Sequence, residues 1–123
     1  MAGQDVLYHA AVVADWEART ATHYVPAGYA DEGFVHCSSA DQLVATLHKH
    51  YPGRGDLVLL TIDHGALASK PIWEDLYGSG VEFPHVYSPI ELSAIVEATP
   101  LPCDDNGRFD WWHTEATDGR QPR

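Results

Sequence analysis

Three of the eight histidines stand in segments that read as β-strands: His9 in "LYHA", His36 in "FVHCS" and His85 in "FPHVY". Alternate residues of a strand share a face, so Leu7 goes with His9, Phe34 and Ser38 with His36, and Phe83 and Tyr87 with His85. If these faces line one cleft, it holds three imidazoles, a serine hydroxyl, a phenol and aromatic walls. Such a set suits a nucleotide, held by stacking and hydrogen bonds, or a metal ion held by three ring nitrogens. A metal needs the rings to converge, and single histidines far apart in sequence give no local sign of that, so no metal is expected.

Other reactive types are read against their neighbours. Cys37 alternates to the face opposite His36, which makes a Cys–His nucleophile pair awkward and points to a buried structural thiol. Glu74 in "IWEDL" is a candidate general base or a partner for a ribose hydroxyl. Asp63 ends an apolar strand. His48 and His50 project in different directions from a helix and are expected at the surface. His23, His64 and His113 fall in loops or in the tail, with no expected role.

The elements that must position these groups follow from pattern. "DVLYHA" is a first strand, and Asp15 is placed to cap a short helix over "ADWEARTA", anchored by Trp16. "HYVPAGYADEG" has Pro26, Gly28 and Gly33 and no sustained period, and reads as a loop. After "FVHCS", Ser39 with Gln42 three positions later has the spacing of a capping box, and Leu43, Val44 and Leu47 recur at helical intervals up to about Tyr51. "DLVLLTID" is a nearly continuous apolar run, hence a central strand covered on both faces.

Beyond it, "PIWEDL" and "VEFPHVY" form a hairpin about "YGSG", with Pro84 assigning the second member to an edge or a bulge. "IELSAIVEATPL" is a last strand, with Leu92, Ala94 and Val96 on one face and Ile95 on the other. Phe109, Trp111 and Trp112 pack back on the body. The expected fold is α+β, a mainly antiparallel sheet with two short helices, in one domain over residues 1–114 followed by a flexible tail over 115–123.

Composition narrows the function. A chain of 123 residues can bury roughly two-thirds of the surface its unfolded form exposes, so neither disulfides nor a structural metal are required. Seven Lys and Arg against eighteen Asp and Glu give a net charge of -11, which opposes duplex nucleic acid and anionic membrane as partners. Two cysteines without metal-ligand spacing, and no apolar run after Met1, point to a cytoplasmic protein with reduced thiols.

The order and spacing of "LYHA", Trp16, "EGFVHCSSADQL", "DLVLLTID", "WED" and "FPHVYSPIEL" resemble the small bacterial family called domain of unknown function 952, over about Val6 to Pro100. That resemblance implies a fold like the ADP-ribosyltransferases, whose split sheet cradles NAD. It places His9 at the first-strand position that meets the nicotinamide side, and Ser38 loosely at the second. The third position carries His85 and Tyr87 where a transferase carries glutamate. A relative of that fold, the RNA 2'-phosphotransferases, engages phosphate and NAD with basic and histidine residues, which His36 and His85 match in type.

Together these readings give a histidine-lined cleft for NAD or a related nucleotide, with transfer to or from ribose as its chemistry. His36 and His85 would contact phosphate or ribose, with Glu74 as a third catalytic candidate. His9 and Tyr87 would frame the base or nicotinamide, and Ser38 would add a hydrogen bond. The alternatives are a non-catalytic metabolite- or protein-binding module and a histidine-based metal-dependent enzyme.

Overall fold

The computed structural model describes residues 6–112. In chain order its elements are β1 (Val6–Val12), α1 (Val13–Glu17), β2 (His23–Tyr24), α2 (Tyr29–Glu32), β3 (Val35–His36), α3 (Ala40–His50), β4 (Leu57–Asp63), β5 (Ile72–Glu74), β6 (Phe83–Val86), β7 (Ile90–Glu91) and β8 (Ile95–Pro100). Short 3-10 turns follow β4 at His64–Ala66 and β7 at Leu92–Ala94. All five strand pairings among the described residues are antiparallel.

The apolar run expected at the centre is there. β4 lies between β1 and β8 and buries both faces. Leu60 and Ile62 pack with Leu7, Ala11, Tyr24 and Val35. Leu57 and Leu59 pack with Leu43 and Leu47 of α3, and with Leu101 and Phe109. A strand with two such faces cannot alternate polar and apolar residues, which is why its sequence is nearly all aliphatic.

A second three-stranded sheet has the order β3-β6-β5, and a two-stranded ladder joins β2 to β7. The two larger sheets meet at a bridge between Tyr8 and Ser38, where each amide donates to the other's carbonyl at 2.8 Å. One face of the second sheet turns Val35, Cys37 and Val86 into the core. The opposite face carries His36 and His85, which are directly paired in the β3–β6 register.

The α3 start follows its sequence signal. Gln42 Oε1 accepts from the Ser39 amide at 3.1 Å, while the Ser39 hydroxyl donates to Asp41 at 2.6 Å. Other expectations are corrected. The segment read as a loop contains β2 and α2, and three α-helices stand among the described residues where two were expected. Asp15 sits within α1, capping nothing there, and its carboxylate accepts from the Ala27 amide at 3.1 Å. Trp16 is half-buried against the core.

Pro84 lies in the middle strand of its sheet, not at an edge. The place is tolerated because β3 is only two residues long, and the Pro84 carbonyl accepts from the Cys37 amide just beyond that ladder. "IELSAIVEATPL" is broken by the 3-10 turn at Leu92–Ala94, which buries Ala94 completely and leaves Val96 63% exposed. Phe109 is fully buried and Trp112 meets Tyr8 edge-on, whereas Trp111 stays largely exposed. His113 and the tail expected over 115–123 lie outside the described residues.

Candidate functional site

Gly33 sets the entrance to the site. It ends α2 with a positive φ of 83°, a conformation open to glycine, and turns the chain into β3, which places His36 four residues after Glu32. His36 Nε2 then donates to the Glu32 carboxylate at 3.0 Å on the exposed rim. Across the β3–β6 pair stands His85, whose ring lies 5.2 Å from that of His36 and nearly perpendicular to it.

His85 is 1% exposed and has its own carboxylate. Its Nδ1 donates to Glu74 at 2.9 Å, and Glu74 also accepts a hydrogen bond from the Tyr87 hydroxyl. These contacts, with the tyrosine the larger effect, hold the Glu74 carboxyl below its usual range, and the same carboxylate pushes the Tyr87 phenol up. Phe34 stacks on His85 with centroids 4.3 Å apart and fixes the ring plane. Among the described residues His85 Nε2 has no hydrogen-bond partner, so this tautomer leaves a lone pair there that no neighbour uses.

A cavity of about 780 Å³ opens at this point. His9, His36, Ser38 and His85 all line it, so four of the expected residues share one space. Thr46, Lys49 and His50 enter from one side of α3, and Tyr77 and Phe83 come from the β5–β6 hairpin. Lys49 is the one lysine or arginine among the lining residues, against Asp15 and Glu32. Burial lowers the His50 imidazole, and Lys49 beside it adds to that.

Three expected residues occupy different positions from those the strand pattern implied. His9 is at the cavity wall, but its Nδ1 donates to the His36 carbonyl at 2.6 Å and its Nε2 accepts from the Tyr24 hydroxyl at 2.8 Å. Burial keeps it neutral, lowering it to about 4, so it offers a ligand a ring edge and no free nitrogen. Glu74 and Tyr87 stand behind His85 and are not lining residues, so Tyr87 does not frame a pocket with His9. Ser38 is buried, with its hydroxyl 3.4 Å from that of Thr46.

Among the described residues no three His, Cys, Asp or Glu side chains are grouped to hold a metal ion. The three strand histidines therefore do not converge as ligands. Cys37 is buried, and burial pushes its thiol up to about 12. Asp63 is exposed and accepts from the Gly65 amide, closing the 3-10 turn. A second groove of about 310 Å³, lined by Ala18, Arg19, Thr20, His23, Val25 and Pro89, contains none of the expected residues.

Sequence reasoning missed Glu32, Tyr24, Thr46, Lys49, His50 and Tyr77. Glu32 had a usable signal, four residues before His36 with a glycine between. His50 and Lys49 read as a solvated helix end, and His48 likewise. In fact His48 Nε2 accepts from the Phe109 amide at 2.9 Å.

Comparison with known proteins adds lineage. The family model described as "Protein of unknown function (DUF952)" matches residues 11–98. A crystal structure of protein CC0527 from Caulobacter crescentus is similar with a TM-score of 0.74 and 30% identity, covering 84% of this chain and 91% of that one. The solution structure of CC0527 has a TM-score of 0.69 and 27% identity, covering 92% and 96%. Comparison with curated proteins gave no match. No helix among the described residues is long and apolar enough to cross a membrane.

Proposed function

The chain belongs to the DUF952 family, and from that premise we propose that its histidine-lined cavity binds NAD or a related nucleotide, with transfer to or from ribose as the associated chemistry. One observation carries this reading: His85, oriented by Glu74 through Nδ1 and with no partner at Nε2 among the described residues, lines a cavity shared with His36 and Ser38. An imidazole held by a carboxylate on its far nitrogen is arranged as a general base, and its protonated form as a general acid. His36 and Lys49 supply hydrogen bonds and charge for ribose or phosphate, and the volume is of the size that small-molecule sites use.

The fold adds support of a weaker kind. Two antiparallel sheets joined at the Tyr8–Ser38 bridge, with the cavity on the His36 and His85 face, suit the split sheet of an ADP-ribosyltransferase-like protein. A single domain of cytoplasmic location belongs to the same reading.

The test is an NMR titration of the imidazole resonances with NAD, with a chelator present to remove stray metal. Saturable shifts at His36 and His85 are expected, with only small changes at His23 and His64. Unmoved resonances at millimolar NAD would sink the reading. A non-catalytic binding module is the second reading, favoured by the withdrawal of Glu74 from the cavity wall. Release of nicotinamide from bound NAD separates the two, since a module binds without turnover.

A further inference from the structure

The β5–β6 connection, residues 75–82, is ordered by its own hydrogen bonds. Asp75 accepts from the Ser79 amide at 2.9 Å and from the Gly80 amide at 2.8 Å, one carboxylate oxygen to each. Gly78 and Gly80 take positive φ values of 68° and 86°. Gln42 Nε2, on α3, donates to the Glu82 carbonyl at 2.8 Å and ties the end of the loop to that helix. This frame holds Tyr77 at the cavity wall although the residue is 62% exposed and adds nothing to the core.

The Tyr77 ring lies nearly parallel to that of His36, at 17°, with centroids 6.4 Å apart. Within the same cluster, Phe34 and His85 show what direct stacking looks like, at 4.3 Å. Atoms in contact across stacked rings are about 3.5 Å apart, so a third ring between two others needs about 7 Å in all. The His36–Tyr77 centroid distance is about 0.6 Å short of that requirement, so the Tyr77 ring, 62% exposed on its loop, must swing outward by at least this much to admit a third ring. His36 is held in orientation by Glu32, and Tyr77 is carried by the loop, so the two ring faces are set against each other before any ligand arrives and part slightly to take one.

We propose that Tyr77 and His36 are the two walls of a slot for a flat heteroaromatic ring, which makes Tyr77 a specificity-determining residue of the cavity. The inference rests on the nucleotide reading above and narrows it: the heterocycle stacks between Tyr77 and His36, leaving the other lining residues, His85 and Lys49 among them, for sugar and phosphate. His36 contributes its ring face to the heterocycle and keeps Nδ1, which has no partner among the described residues, for a ribose hydroxyl. A ligand with sugar and phosphate but no planar ring would leave the slot unused.

The experiment is an NMR titration of the intact chain with NAD and, separately, with ribose 5-phosphate, reading the ring protons of Tyr77, His36 and His85. Stacking predicts upfield ring-current shifts at Tyr77 and His36 with NAD, and none at Tyr77 with ribose 5-phosphate. Tyr77→Ala should weaken NAD by about tenfold or more, while Tyr77→Phe keeps most of the affinity. Equal NAD affinity in Tyr77→Ala, with His36 and His85 still responding, would overturn the slot and leave the nucleotide reading standing. Silence of all three residues toward NAD would overturn both.

Discussion

The His85 Nδ1 donates to the Glu74 carboxylate across 2.9 Å from a ring that is 1% exposed, and this pairing determines which nitrogen carries the proton. A carboxylate can only accept, so the proton stays on Nδ1 and the lone pair on Nε2. Glu74→Gln can present either an oxygen or an amide and should erase that preference. Nitrogen-15 shifts of His85 should then change from a single Nδ1–H tautomer to a mixture, with NAD affinity down by about tenfold. An unchanged tautomer in the variant would show that Glu74 does not orient the ring.

Tyr87 is the larger of the two influences that depress Glu74. Tyr87→Phe should therefore move the Glu74 carboxyl up, toward its ordinary value of 4.5. The sign follows from linkage: a depressed carboxyl stabilises the fold above its unfolded pKa, and that contribution is lost as pH falls through the folded value. Carbon-13 titration of the Glu74 carboxyl checks this, and an identical midpoint in the variant would contradict it.

His9 titrates in the opposite chemical sense with the same outcome. Burial lowers it from 6.5 to about 4, so between those values the unfolded chain binds a proton that the folded one does not. Stability should be fully present above pH 6.5 and decline as pH falls toward 4, by an amount of the order of 3 kcal/mol. Urea unfolding of wild type and His9→Gln across that window should show a shallower decline in the variant, whereas parallel curves would remove His9 as the cause. Tyr24→Phe leaves His9 Nε2 buried without its donor and should cost about 1–3 kcal/mol above pH 6.5.

The Cys37 thiol, buried and pushed up to about 12, should resist alkylation at neutral pH in the native protein. Mass spectrometry after iodoacetamide should find it modified only once denaturant is added. Rapid native labelling at Cys37 would mean the core around β3 opens readily.

His48→Ala removes the acceptor for the Phe109 amide and loosens the segment that seats Phe109 against α3. A loss of about 1–2 kcal/mol is expected, with faster hydrogen exchange at the Phe109 amide. Unchanged protection there would show that burial of the ring alone holds the segment.

What the sequence determined by itself was local. An uninterrupted aliphatic run between polar turns has to be a strand buried on both faces, so β4 was legible from "DLVLLTID"; the Ser39 and Gln42 spacing marked the α3 start for a similarly local reason. Strand alternation set His36 and Ser38 on the face opposite Cys37, and His36, Ser38 and His85 do share a cavity with His9. Tertiary structure alone decided what those side chains touch. Alternation says which side of a strand a ring leaves from, but a hydrogen bond depends on neighbours remote in sequence: Tyr24 took the free nitrogen of His9, and Glu74 took Nδ1 of His85. The same limit hid Tyr77, whose exposed ring on a glycine turn acquires meaning only through a fold that sets it 6.4 Å from His36.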